Sequence, residues 1–149
     1  MNKQFALDYA IDKTLHDSYN KAQDAGNEAD MEKYRSIYND EFAKYMKGKE
    51  EDYLLLYRLY KSARERGNDY IDFAEPYQYR GTEKLYEALQ KYEVEKITFS
   101  STWSSAIETA WELIQSGCTL EGMIEINGTT AETFSEEYER IPAYLFRVS

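Results

Sequence analysis

The chain has 149 residues, 42% of them hydrophobic and 31% charged, and a net charge of −10; this is the make-up of one ordinary domain able to bury a core unaided. The acidic balance excludes the basic footprint of a direct nucleic-acid binder, and the single Cys118 excludes an internal disulfide and points to a reducing, cytoplasmic compartment. The opening "MNKQFALDYAIDKTL" mixes acids with apolar residues, so it is expected to be neither a secretion signal nor a membrane anchor.

Residues 1–67 predict a helical segment of about three helices. In the first, Leu7, Ile11 and Leu15 recur every fourth residue, with Phe5 and Tyr9 beside them. Gly26 is placed to end that helix and Asn27 to cap the next. The second carries Tyr34, Tyr38, Phe42 and Tyr45 on one stripe and stops at Gly48. The third sets Tyr53, Leu56, Tyr57, Tyr60 and Ala63 on one face, leads with acids, and ends in Arg64 and Arg66 before Gly67, as the helix dipole prefers.

From residue 68 the pattern changes to that of an α/β or α+β unit with the order β-α-β-α-β-β, about four strands in all. "DYIDF" and "KITFS" are short strand candidates. Between them Thr82 can cap a short helix that buries Leu85, Leu89 and Tyr92. A helix over 103–116 follows, with Trp103, Ile107, Ala110, Trp111 and Ile114 as its expected sheet-facing stripe and Gly117 as its stop. "CTLEGMIEIN" alternates at period two, which puts Cys118, Leu120, Gly122, Ile124 and Ile126 on one face, and "AYLFRV" closes the sheet antiparallel.

Charge divides the chain unevenly. Residues 1–67 hold 12 basic and 13 acidic residues, whereas residues 68–149 hold 6 and 15. The densest acidic region comprises Glu121 and Glu125, on the outer face of the strand, with Glu132, Glu136, Glu137 and Glu139 in the following loop. These six are the partner-binding candidates, because an acidic face suits a protein with a basic surface; a solubilising face is the plainer alternative.

"SSTWSS" offers a second candidate. Ser100, Ser101, Thr102, Ser104 and Ser105 sit at a strand-to-helix turn, where helix N-termini attract anions. Phosphate loops need glycine for close backbone approach, and none lies between 82 and 116. Capping is favoured instead, with Ser105 and Glu108 at capping-box spacing. No catalytic residue, cofactor or metal is expected. One His and one Cys cannot build a zinc site, His16 lies off the first helix's stripe, and Asp69, Asp72 and Glu75 fit turn and cap roles better than Mg²⁺ ligation. The Tyr-rich helices also have enough aromatic surface for a homo-oligomer.

The stretch from "ERGNDYIDF" through "ITFSSTWSSAIETAWELIQSGCTLEGMIEING" to "IPAYLFRV" resembles a group of small uncharacterised proteins carried by phages, plasmids and conjugative elements of Gram-positive bacteria. The likeness covers the C-terminal half. It rests on the Ser/Thr-rich turn, the Trp/Ala helix, the "GC-x-L-x-G-x-x-E-x-N" strand at 117–127 and the closing strand. It implies no catalytic residues but a mobile-element setting, in which small acidic proteins are often inhibitors of host defence, including anti-CRISPR proteins. The implied function is non-enzymatic inhibition of a defence nuclease, with a CRISPR effector as the implied partner and neither membrane nor direct nucleic-acid binding. A small-ligand module or enzyme using the turn at 100–105 is the alternative.

Overall fold

The computed structural model describes residues 2–74, 76, 78–127 and 140–148. Its fold is α+β, helices first and then a four-stranded mixed sheet in the order expected. Two compact units are distinguished, one of Asn2–Arg58 and one beginning at Leu59. The division falls inside a helix, ahead of the Gly67 boundary expected from sequence.

The first unit is helical. Helix α1 spans Lys3–Asp24, and the Asn2 side chain caps it by accepting from the N–H groups of Gln4 and Phe5 at 2.7 and 3.1 Å. Helix α2 (Glu28–Ser36) is capped by Asn27, as its position predicts. It runs into a π-helical turn at Ile37–Phe42 and then α3 (Ala43–Lys47), with Gly48 as the C-cap. The wider π turn shifts the phase of the helix. The expected aromatic stripe therefore drifts: Tyr34 and Tyr38 are half-buried, Phe42 is buried and Tyr45 is exposed. Helix α4 (Glu51–Arg66) buries Tyr53, Leu56, Tyr57, Tyr60 and Ala63, the full face read from its spacing.

The buried face of α1 departs from expectation. Leu7 and Ile11 are 59% and 48% exposed, while Phe5, Asp8, Tyr9 and Asp12 are buried. Helix α1 carries two candidate stripes, and the core takes the one with the larger aromatic surface. Each of the two carboxylates that come with it accepts from a tyrosine hydroxyl, which offsets part of the cost of burying them.

In the second unit, β1 (Ile71–Asp72) pairs parallel with β2 (Lys96–Ser100). Strand β4 (Arg140–Arg147) lies between β2 and β3 (Thr119–Asn127), antiparallel to both, giving the order β1-β2-β4-β3. Helices α5 (Thr82–Lys91) and α6 (Ala106–Ser116) cross between strands in the same direction along the sheet. Right-handed crossovers then place both on one face, and the two helices touch. Phe99 stacks on Phe146 at 5.7 Å, and both rings are fully buried. Period-two alternation in β3 holds from Gly122 to Ile126 but breaks at a bulge between Leu120 and Gly122, with Gly122 at φ 153°. The bulge turns Leu120 outward, so it is 40% exposed instead of buried.

Two cap assignments differ from expectation. Gly81, at φ 103°, takes the N-cap of α5, and Thr82 becomes its first helical residue, buried beside Leu85, Ala88 and Leu89. Ser105 precedes α6 at φ −101°, ψ 13°, and makes no side-chain cap bond. An N-cap side chain reaches back only from an extended backbone, so the capping box with Glu108 does not form. Gly117, at φ 112°, ends α6 as expected.

The phase of α6 also differs. Ala106, Thr109, Ala110 and Leu113 are buried, while Ile107, Trp111 and Ile114 are 75%, 62% and 45% exposed. Small residues let the helix lie close on its neighbours, and the bulky stripe is left on the outside. Leu113→Ala should therefore cost about 2–5 kcal/mol, as a cavity in the core does, and Trp111→Ala less than about 1 kcal/mol. Urea denaturation of the two variants checks this; the reverse order would mean that α6 is turned about its axis.

Candidate functional site

The Ser/Thr-rich turn is bound into its own backbone. Ser100 is buried at the end of β2, and its Oγ accepts from the Thr102 N–H at 3.1 Å and shares a hydrogen with Thr102 Oγ1 at 2.6 Å. Ser101 donates from N and from Oγ to the Pro142 carbonyl, at 3.0 and 3.2 Å, which ties the turn to β4. Ser104 is exposed and Ser105 half-buried. Hydroxyls of this kind commonly stabilise turns by local bonding.

Beside the turn, at the carboxyl end of the parallel pair, Asp72 faces Thr98. Asp72 Oδ1 accepts from Thr98 Oγ1 and from the Ala74 N–H, both at 3.0 Å, and Ala74 has φ 55°. Burial raises the Asp72 carboxyl above its ordinary value despite those two bonds. Asp72 therefore holds the turn after β1, the local role expected of it. Glu75 lies outside the described residues, and among those described no cluster of metal-ligating side chains occurs.

The acidic candidates fall into two groups. Glu121 sits at the β3 bulge, where Arg147 Nε donates to its Oε1 at 2.5 Å and Lys96 Nζ lies 3.7 Å from its Oε2. Its bond to Arg147 holds the Glu121 carboxyl below the usual range. The three residues come from β3, β4 and β2, so they form a cross-strand charge ladder. Glu125 is exposed, and the Arg140 guanidinium beside it donates to the Glu125 backbone carbonyl and to Asn127 Oδ1, each at 2.7 Å. Glu132, Glu136, Glu137 and Glu139 lie outside the described residues.

A polar cluster in the helical unit was not anticipated. Asp8 is 1% exposed and accepts from the hydroxyls of Tyr53 and Tyr45 and from Gln4 Nε2. Asp12, 2% exposed, accepts from Tyr57 at 2.8 Å, and His16 Nε2 lies 3.2 Å from its Oδ1. His16 rests against the Tyr38 ring at 5.0 Å. Lys49 Nζ sits 4.5 Å above the Tyr45 ring and 5.3 Å above that of Tyr53. The sequence held the signal: Asp8 and Asp12 are four apart, as are Tyr53 and Tyr57, so two helices can meet rung on rung.

One pocket of about 530 Å³ opens where α5 ends and β2 begins. Leu89, Val94 and Val148 line it together with Glu93, Glu95, Lys96 and Arg147. Cys118 is buried, and burial raises its thiol above the ordinary value, which disfavours the thiolate.

Residues 55–148 match the model of a domain of unknown function, DUF7698, and the chain belongs to that family. The match begins within α4 and takes in every strand of the sheet. No curated protein and no solved structure matches the chain. No helix among the described residues is long and apolar enough to cross a membrane.

Burial first, then the bond to Asp12, pushes the Tyr57 phenol above its ordinary value. Above about pH 10 an unfolded tyrosine loses its proton, whereas Tyr57 in the fold keeps it. The folded state then binds more protons, so this contribution is complete below about pH 10 and is lost as pH rises further. Tyr57→Phe should lower stability by about 1–3 kcal/mol at neutral pH, the worth of a hydrogen bond to a charged group. It should also lose less additional stability than wild type in going from about pH 9 to 11. Urea titrations at the two pH values check both effects.

Proposed function

We propose that this chain is a non-enzymatic protein-binding module that lays an acidic surface of its sheet unit on a basic partner. One observation carries the reading: from Ile97 to Glu139 there are eight glutamates and no lysine or arginine. Of these, Glu108, Glu112 and Glu125 lie at the surface, while Glu121 is held by Arg147 and Lys96. Carboxylates at a surface attract a partner of opposite sign and steer its approach. The resemblance to mobile-element proteins gives the proposal its specific form, inhibition of a defence nuclease. The Lys/Arg-lined nucleic-acid channel of a CRISPR effector is a surface such a face would fit.

A second reading is a small-ligand site at the carboxyl end of β1 and β2, where α/β sheets bind ligands. The raised Asp72 carboxyl beside buried Thr98 and Ser100 favours it. Against it, the Thr98, Ser100 and Thr102 hydroxyls already serve the fold.

Capture from host lysate with the full chain as bait, followed by mass spectrometry, identifies the partner. Changing Glu125, Glu136, Glu137 and Glu139 to Lys should then slow association roughly tenfold or more at low salt. It should also flatten the salt dependence and leave thermal stability unchanged. Binding with unaltered rate and salt dependence would make the acidic face a solubility feature only.

A further inference from the structure

Helix α6 is amphipathic twice over. Its inner face is made of Ala106, Thr109, Ala110 and Leu113, all buried. Its outer face carries Ile107, Trp111 and Ile114, spaced four and three and 75%, 62% and 45% exposed. Those intervals put the three side chains on one continuous stripe, about 10 Å long from Ile107 to Ile114. Large apolar side chains grouped on one water-facing stripe are a feature of interaction surfaces. Trp is also the residue most enriched among those that dominate binding energy.

Glu108 precedes Trp111 by one helical turn and Glu112 follows it, both exposed. No lysine or arginine lies within α6. The outer face is therefore an apolar stripe of two isoleucines and an indole, with both carboxylates along the indole's side of it. An indole face attracts a cation, and neighbouring carboxylates add to that attraction. An antiparallel second copy would bring Glu108 and Glu112 of each copy against their like, and a parallel one would set them against isoleucines; both disfavour self-docking.

We propose that the outer face of α6 is the docking site for a cationic amphipathic helix of the partner. The partner helix packs its apolar side along Ile107, Trp111 and Ile114 and sets lysines or arginines against Glu108, Glu112 and the Trp111 ring. Two antiparallel or parallel helices of three turns suffice for such packing. This assignment rests on the reading of the chain as a protein-binding module and names the element that docks.

The test uses the full ¹⁵N-labelled chain and a synthetic Leu/Lys peptide of about 18 residues with all leucines on one helical face. Saturable shift changes centred on the α6 amides are expected. The double variant Ile107→Gln, Trp111→Gln should weaken binding roughly tenfold or more, as should a peptide of the same composition with its leucines scattered around the helix. Because both side chains are exposed, the variant should keep its amide spectrum outside α6. Peptide binding by the variant within about twofold of wild type, or shifts confined to β3, would overturn the assignment. So would self-association of wild type that the variant abolishes, which would give the face to a second copy. The captured partner separates the two readings. If the glutamate-to-lysine variant loses it and the α6 variant retains it, the module reading stands and the α6 assignment falls.

Discussion

The sheet unit depends on a strand that arrives last. Strand β4 pairs with β2 on one side and β3 on the other, so β3 joins the sheet only through it. Its Phe146 stacks on Phe99 of β2, and its Pro142 carbonyl receives both donors of Ser101. The space left for β4 also sets the span of α6, which crosses from β2 to a strand two positions away. A helix that must lie low over the sheet favours small inward residues, and α6 supplies Ala106, Thr109 and Ala110 there. The large residues then have only the outside to occupy.

The helical unit solves a different problem. Asp8 and Asp12 are buried on one face of α1, and each accepts from tyrosine. The phenols that donate to them keep their protons far above neutral pH. The bonds therefore persist across the ordinary pH range, and they fix the register of α1 against residues 45–57. The abundance of tyrosine follows in part from this arrangement: Tyr45, Tyr53 and Tyr57 each contribute a hydroxyl to a carboxylate as well as a ring to the packing.

Much of the architecture was legible in the sequence because it rests on local rules. Asn27, Gly48 and Gly117 end or begin helices where their backbone preferences say they should. The buried face of α4 follows its spacing at every position. What sequence misread was the phase of α1 and α6, for one shared reason. Each helix has two faces that qualify as core, and hydrophobicity alone ranks the wrong one first. In α1 the decision lies with partners of Asp8 and Asp12 that are distant in sequence; in α6 it lies with the clearance over the sheet. The Ser/Thr turn was likewise ambiguous locally: its hydroxyls serve the turn and β4 instead of an N-cap, which depends on the Ser105 backbone. Of the acidic candidates, Glu121 found cations on β2 and β4 that its own segment lacks.

The same phase choice gives the molecule its candidate surface, since an inward Trp111 would leave α6 only Ala106, Thr109, Ala110 and Leu113 to present. The most direct measurement is therefore acrylamide quenching of Trp111 fluorescence in a Trp103→Phe variant of the isolated chain, where Trp111 is the sole indole. A neutral quencher avoids repulsion by the glutamates. Emission close to that of indole in water, with ready quenching, is the predicted result. Blue-shifted emission shielded from acrylamide in a monodisperse monomer would contradict the account, because the apolar stripe would then be part of the core and not a face for docking.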